Sequence, residues 1–263
     1  MSATLQPSST TTIPTPSLIS FTSPKGKSLF RNAMDQGQAE SFFKLMGNFS
    51  AQSSPDLAGI SSLTMALNAL EIDPQTIWKG NWRWYSGDQL KPCSPKERIL
   101  THGIPFDEFT CLAQTHCQVE STRATFLTEG YDRFLSCLEK VTSDASSQMV
   151  VHYSRSGLGQ TCSQDAHYSP IGGHDAIQQK TLIMDVDRVN HPSVWVNTKD
   201  LYRAMLKKDP LTNLSRGYFV LKQDPLLSSS SSSSSSLSSL PSSPSSNRRR
   251  KNCLGCTNRS CHI

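Results

Sequence analysis

The chain has 263 residues, 36% of them hydrophobic and 18% charged, a balance that fits one or two globular domains with polar appendages. No run approaches the ~20 consecutive apolar residues of a membrane-spanning helix, so no membrane partner is expected. The net charge of +5 comes from Arg248, Arg249, Arg250, Lys251 and Arg259, and the remaining 21 basic residues balance the 21 acidic ones. A neutral folded part argues against nucleic acid as a partner, and the basic tail reads as a solvated run.

Residues 1–24 are rich in Ser, Thr and Pro without an apolar period, so they cannot bury enough surface to offset the entropy of ordering and are expected to be disordered. They lack the charged start and apolar core of a secretory signal, and a cytoplasmic location is expected, with organelle targeting by a Ser/Thr-rich transit segment as the alternative. A single folded domain is expected over 25–224. Within it Ile60, Leu63, Leu67 and Leu70 recur at helical spacing, which predicts a buried helix over 58–70 with Ala58 in its first turn and Pro55-Asp56 as the turn and cap ahead of it. Phe134, Cys137 and Leu138 predict another helix over 131–141. The pattern then shortens to strands at 149–153, 181–186 and 217–221. Helices first and strands afterwards favour an α+β arrangement over alternating βαβ units. Residues 225–247 read as a Ser-rich linker, unbroken serine from Ser228 to Ser236, and 248–263 form a basic segment with Cys253, Cys256, Cys261 and His262.

Eight cysteines are too few for a dense disulfide framework in this length, and Cys93, Cys111, Cys117, Cys137 and Cys162 are scattered irregularly, as in a chain of mostly reduced thiols. Cys253, Cys256, Cys261 and His262 offer four soft ligands, the number a tetrahedral zinc or cadmium site takes; incidental thiols are the alternative. His167 stands in a short aromatic stretch ending in Gly172-Gly173, and Asp185 lies in the next apolar strand. A buried carboxylate needs a partner, and an imidazole suits it because the carboxylate fixes the ring tautomer and stabilises the imidazolium. The pattern equally fits Asp185 capping a turn and His167 as a satisfied core histidine.

Several longer stretches follow one another along the core: Gln52-Ser53-Ser54-Pro55-Asp56-Leu57-Ala58-Gly59, Leu67-Asn68-Ala69-Leu70-Glu71-Ile72-Asp73-Pro74, Trp78-Lys79-Gly80-Asn81-Trp82-Arg83-Trp84-Tyr85, His167-Tyr168-Ser169-Pro170-Ile171-Gly172-Gly173, Asp185-Val186-Asp187-Arg188 and Arg216-Gly217-Tyr218-Phe219. With these, residues 25–222 resemble the phytochelatin synthase family. The resemblance implies a papain-like cysteine-transferase fold that needs no cofactor. The implied activity is γ-glutamylcysteinyl dipeptidyl transfer from glutathione, with cadmium or zinc carried as glutathione thiolates. A helix-start cysteine attacks the Cys-Gly bond, glycine leaves, and the acyl group passes to a second amine. By position Gln52 would donate to the oxyanion, His167 would serve as base and then acid, Asp185 would orient it, and Arg188 would lie near substrate carboxylates.

The chain departs from the family pattern where the chemistry starts. Ser54, Asp56, Leu57 and Ala58 stand where the family has Glu, Ala, Tyr and Cys, so the nucleophile position holds a methyl group. Ser61 and Ser62, a turn along the helix, are poor substitutes. The segment 160–166 before His167 is longer than the family's loop, and Ala166 replaces a glycine, which would strain the backbone if positive φ were required. The expectation is therefore a homologue with lost or much reduced transferase activity. The alternatives are an active transferase working by a noncovalent route, or a regulatory protein that binds glutathione or a soft divalent metal.

Overall fold

A computed structural model describes residues 16–225 except 78, 81, 82, 93 and 163. Among the described residues seven strands form one antiparallel sheet: β1 (Ile19–Ser20), β2 (Gln118–Arg123), β3 (Ser147–Ser154), β4 (Ala166–Asp175), β5 (Lys180–Ile183), β6 (Val194–Asn197) and β7 (Gly217–Lys222). Their spatial order is β1-β6-β5-β4-β3-β7-β2. Helices α1 (Pro24–Asp35), α2 (Glu40–Gly47), α3 (Ala58–Ala69), α4 (Lys96–His102), α5 (Phe106–Gln114), α6 (Thr128–Thr142) and α7 (Thr198–Leu206) complete the fold, an α+β arrangement.

The central strands β3 and β4 are buried along nearly their whole length, because helices cover both faces of the sheet. On one side α3 and α5 supply Leu63, Leu67 and Phe109, which pack with Phe219 of β7. On the other, Phe134 and Leu138 of α6 and Leu201 of α7 pack with Tyr153 of β3. The sequence of α3 is apolar almost all round, as a helix enclosed by protein must be, and eleven of its twelve residues are buried.

The expected helix over 58–70 is α3, but Asp56 does not cap it. A 3-10 turn over Pro55–Leu57 leads in, and no side chain caps the first turn. The strand expected over 181–186 stops at Ile183, leaving Asp185 beyond it. The physical cause is local: the Asp185 carboxylate accepts from Asp187 N at 2.9 Å, a turn that competes with the ladder. The expected disordered segment 1–24 mostly lies outside the described residues. Its last part is ordered, however: Ile19 and Ser20 pair with Trp195 and Val194, and Ser23 caps α1 by accepting from Gly26 N. Cys117, Cys137 and Cys162 are free, while Cys111 is disulfide-bonded.

Candidate functional site

The pairing of β3, β4 and β5 brings together three side chains. His167, second in β4, places Nε2 2.9 Å from Asp185 Oδ1. Arg155, directly after β3, donates to Asp185 Oδ2 at 2.8 Å and to Oδ1 at 3.0 Å. All three are almost fully buried. Asp185 Oδ1, which can only accept, and Arg155 Nη2, which can only donate, both lie 2.9 Å from Nε2; we assign the N–H to Nε2, facing the carboxylate, which leaves the lone pair on Nδ1, to which no described residue hydrogen-bonds. Arg155 Nη2, 2.9 Å from that same Nε2, is then a cation beside an N–H.

The electrostatics follow from this geometry. Burial raises the Asp185 carboxyl, but His167 and then Arg155 more than reverse it and hold it well below the usual carboxylate range. Burial depresses the His167 imidazole, Asp185 counters only in part, and Arg155 adds to the depression. With the imidazole neutral, the permanent cation of Arg155 is the partner that keeps Asp185 ionised. Sequence reading missed Arg155 because it gave Asp185 one partner. A buried carboxylate has room for more, and a cation at the end of the neighbouring strand was the available signal.

Ala58 opens α3 and is buried, in a space of about 10 Å³ lined also by Asp56, Ala166 and Tyr168, room for roughly one water. His167 does not line that space. It lines a cavity of about 530 Å³ together with Arg155, Cys162, Asp187 and His191. Side chains alternate along a strand, so Ala166 and Tyr168 face α3 while His167 faces away, its ring edge-on to Tyr153. Pro55 and Gln164 line both spaces and form the partition between them. Gln164 Nε2 donates to Asp56 Oδ1 at 2.6 Å and to Thr101 O at 3.0 Å. Asp56 and the loop carrying Gln164 are two of the departures from the family pattern, and here they are hydrogen-bonded to each other.

The lengthened loop is held at both ends. Gln160 Oε1 accepts from Arg155, and Asp165 accepts from Ser154, from Ser156 N and from the buried Arg216. Ala166 carries no strain, since it starts β4 and is not among the positive-φ residues. Gln52 N donates to Val186 O, tying its loop beside Asp185, and its side-chain oxygen is buried without a hydrogen-bond partner among the described residues. Gln52 lines neither space. Arg188 is exposed, with its guanidinium 5.3 Å from the Phe49 ring centroid, and does not line the cavity. Ser62 is spent on Tyr168 O. Cys253, Cys256, Cys261 and His262 lie outside the described residues, and no cluster of His, Cys, Asp or Glu among the described residues could hold a metal ion. No helix among them is long and apolar enough to cross a membrane.

The phytochelatin synthase family model matches residues 9–218. The chain belongs to the phytochelatin synthase family. It is 40% identical over 214 residues to glutathione gamma-glutamylcysteinyltransferase 3 of Lotus japonicus, covering 80% of this chain and 43% of that protein. It is 39% identical over 214 residues to glutathione gamma-glutamylcysteinyltransferase 1 of Arabidopsis thaliana, with 80% and 43% covered. Against the glutathione gamma-glutamylcysteinyltransferase of Schizosaccharomyces pombe it is 34% identical over 205 residues, covering 78% of this chain and 49% of that protein. The chain thus spans less than half the length of these phytochelatin synthase relatives, and the papain-like fold is consistent with the family.

Proposed function

We propose that this chain is a phytochelatin synthase homologue that binds glutathione, free or as a cadmium or zinc thiolate, in the cytoplasm and does not turn it over through an acyl-enzyme at position 58. The observation that carries this reading is Ala58 at the opening of α3, in a space with room for about one water. A methyl group has no lone pair with which to attack a carbonyl. In this reading His167 holds its basic nitrogen toward the large cavity, Asp185 fixes the ring, Arg155 keeps Asp185 ionised, and Gln52 is an oxyanion donor left without its reaction. A noncovalent transferase would need base and scissile bond within hydrogen-bond reach, and His167 does not line the space at Ala58.

The test is incubation of the full chain with glutathione and cadmium while free glycine is measured. No protein-dependent release is expected, and calorimetric titration should still detect glutathione binding. Sustained glycine release that scales with protein concentration would overturn the reading.

A further inference from the structure

The cavity into which His167 looks contains a thiol of its own. Cys162 is free and exposed, sits on the loop that is longer than the family's, and lines the same space of about 530 Å³ as His167 and Arg155. His167 is only 2% exposed, lines this cavity together with Cys162, and has no partner for Nδ1 among the described residues. We propose that Cys162 is a reactive thiol of this site, exchanging with a small peptide disulfide bound in the cavity, with His167 as its base.

Two arguments choose disulfide exchange over acyl transfer. Attack on an amide builds charge on a carbonyl oxygen and needs a donor aimed at it, whereas Gln52 does not line this cavity. Attack on a disulfide leaves the charge on sulfur and needs only a thiolate and access. The cavity volume is in the ~300–1,000 Å³ range of small-ligand sites, and Thr161, Gln164 and Asn190 give it the amides and hydroxyl that match a peptide. Burial and then Asp165 push the Cys162 thiol up, with Arg155 opposing, so the thiol stays protonated at neutral pH and requires a base. In the step, the Cys162 proton passes to His167 Nδ1 and the sulfur bonds to one sulfur of the incoming disulfide. The old S–S bond breaks, and the departing thiolate recovers the proton from His167. One disulfide replaces another with no net oxidation.

The test uses the pre-reduced full chain and oxidised glutathione, with peptide mapping by mass spectrometry to follow each cysteine in time. Cys137, a half-buried thiol away from the cavity, is the internal reference. Mixed-disulfide formation at Cys162 is expected to be at least about tenfold faster than at Cys137, and His167→Gln should remove that advantage while leaving Cys137 unchanged. Equal rates at the two cysteines in the native protein would overturn the proposal whether or not the variant folds. So would an unchanged Cys162 rate in a folded His167→Gln protein, or a glutathione-derived thioester on Cys162 in place of the mixed disulfide. The measurement is independent of glycine release, so the acyl reading and this one can fail separately.

Discussion

At the scale of single residues, the decisive contacts are those of Asp185 and Asp56. Asp185 is a buried carboxylate that serves a turn, an imidazole and a guanidinium at once. Its need for a partner was legible from an apolar stretch interrupted by an acid, but Arg155 was not, because that pairing is made by strand register rather than by spacing. Replacing Arg155 with Met should cost about 3 kcal/mol or more, since it leaves Asp185 buried with a neutral imidazole as its main partner. Denaturant unfolding measures the loss, and the His167 pKa, read by NMR, should rise once the neighbouring cation is gone. Asp56 makes the second prediction. Ala58→Cys should give a thiol that alkylates readily, because the opening of α3 favours a thiolate. It should give little turnover while His167 lines a different space from position 58 and Gln164, hydrogen-bonded to Asp56, borders both. Adding Leu57→Tyr and Ser54→Glu, with Gln164→Ala to open the partition, should be needed for product. Mass spectrometry for a γ-glutamylcysteinyl adduct decides this, and full transferase activity in the single variant would refute the need for the other changes.

At the scale of elements, α3 was the most legible because helical spacing and near-continuous apolarity both mark a helix enclosed by protein. The strands at 147–154 and 217–222 were read within two residues of their ends because the apolar pattern there shortens to brief runs. β1 and β2 were not, since a two-residue strand and the polar run Gln118–Arg123 are edge strands whose order comes from their neighbours. How α3 meets β4 rests on Gly59: a Cβ there would lie 2.3 Å from Ile104 Cγ2 and 3.3 Å from the Tyr168 ring. Gly59→Ala should therefore destabilise by about 1–3 kcal/mol despite the better helix propensity of alanine, and thermal melting would show it. A neutral or stabilising result would mean that α4 and the loop after it yield easily.

At the scale of the whole molecule, acid sensitivity should come from histidines buried neutral. His152 stacks on Tyr168, with ring centroids 4.1 Å apart, and neither ring nitrogen has a hydrogen-bond partner among the described residues. Asp209 is 3.7 Å from Nε2, too far for a hydrogen bond, and burial followed by Arg216 keeps this imidazole well below its ordinary value. His167 is shifted the same way. A depressed histidine contributes stability that is present above the unfolded value of about 6.5 and is lost as pH falls, because the unfolded chain then binds a proton that the folded one refuses. The free energy of unfolding should therefore decline from pH 7 to pH 5, by up to about 1.4 kcal/mol per pH unit for each such group. His152→Phe, which breaks no hydrogen bond, should flatten that decline, and an unchanged slope would place the sensitivity elsewhere. The partition built by Gln164 also sets the kind of effect this protein can have on its surroundings. A peptide held on the His167 side leaves chemically as it arrived, or, in the exchange, one half stays tethered to Cys162 while the other leaves as a free thiol. The quantity of ligand withdrawn then follows the number of protein molecules and not elapsed time, so doubling expression should double the effect, while a longer incubation adds nothing.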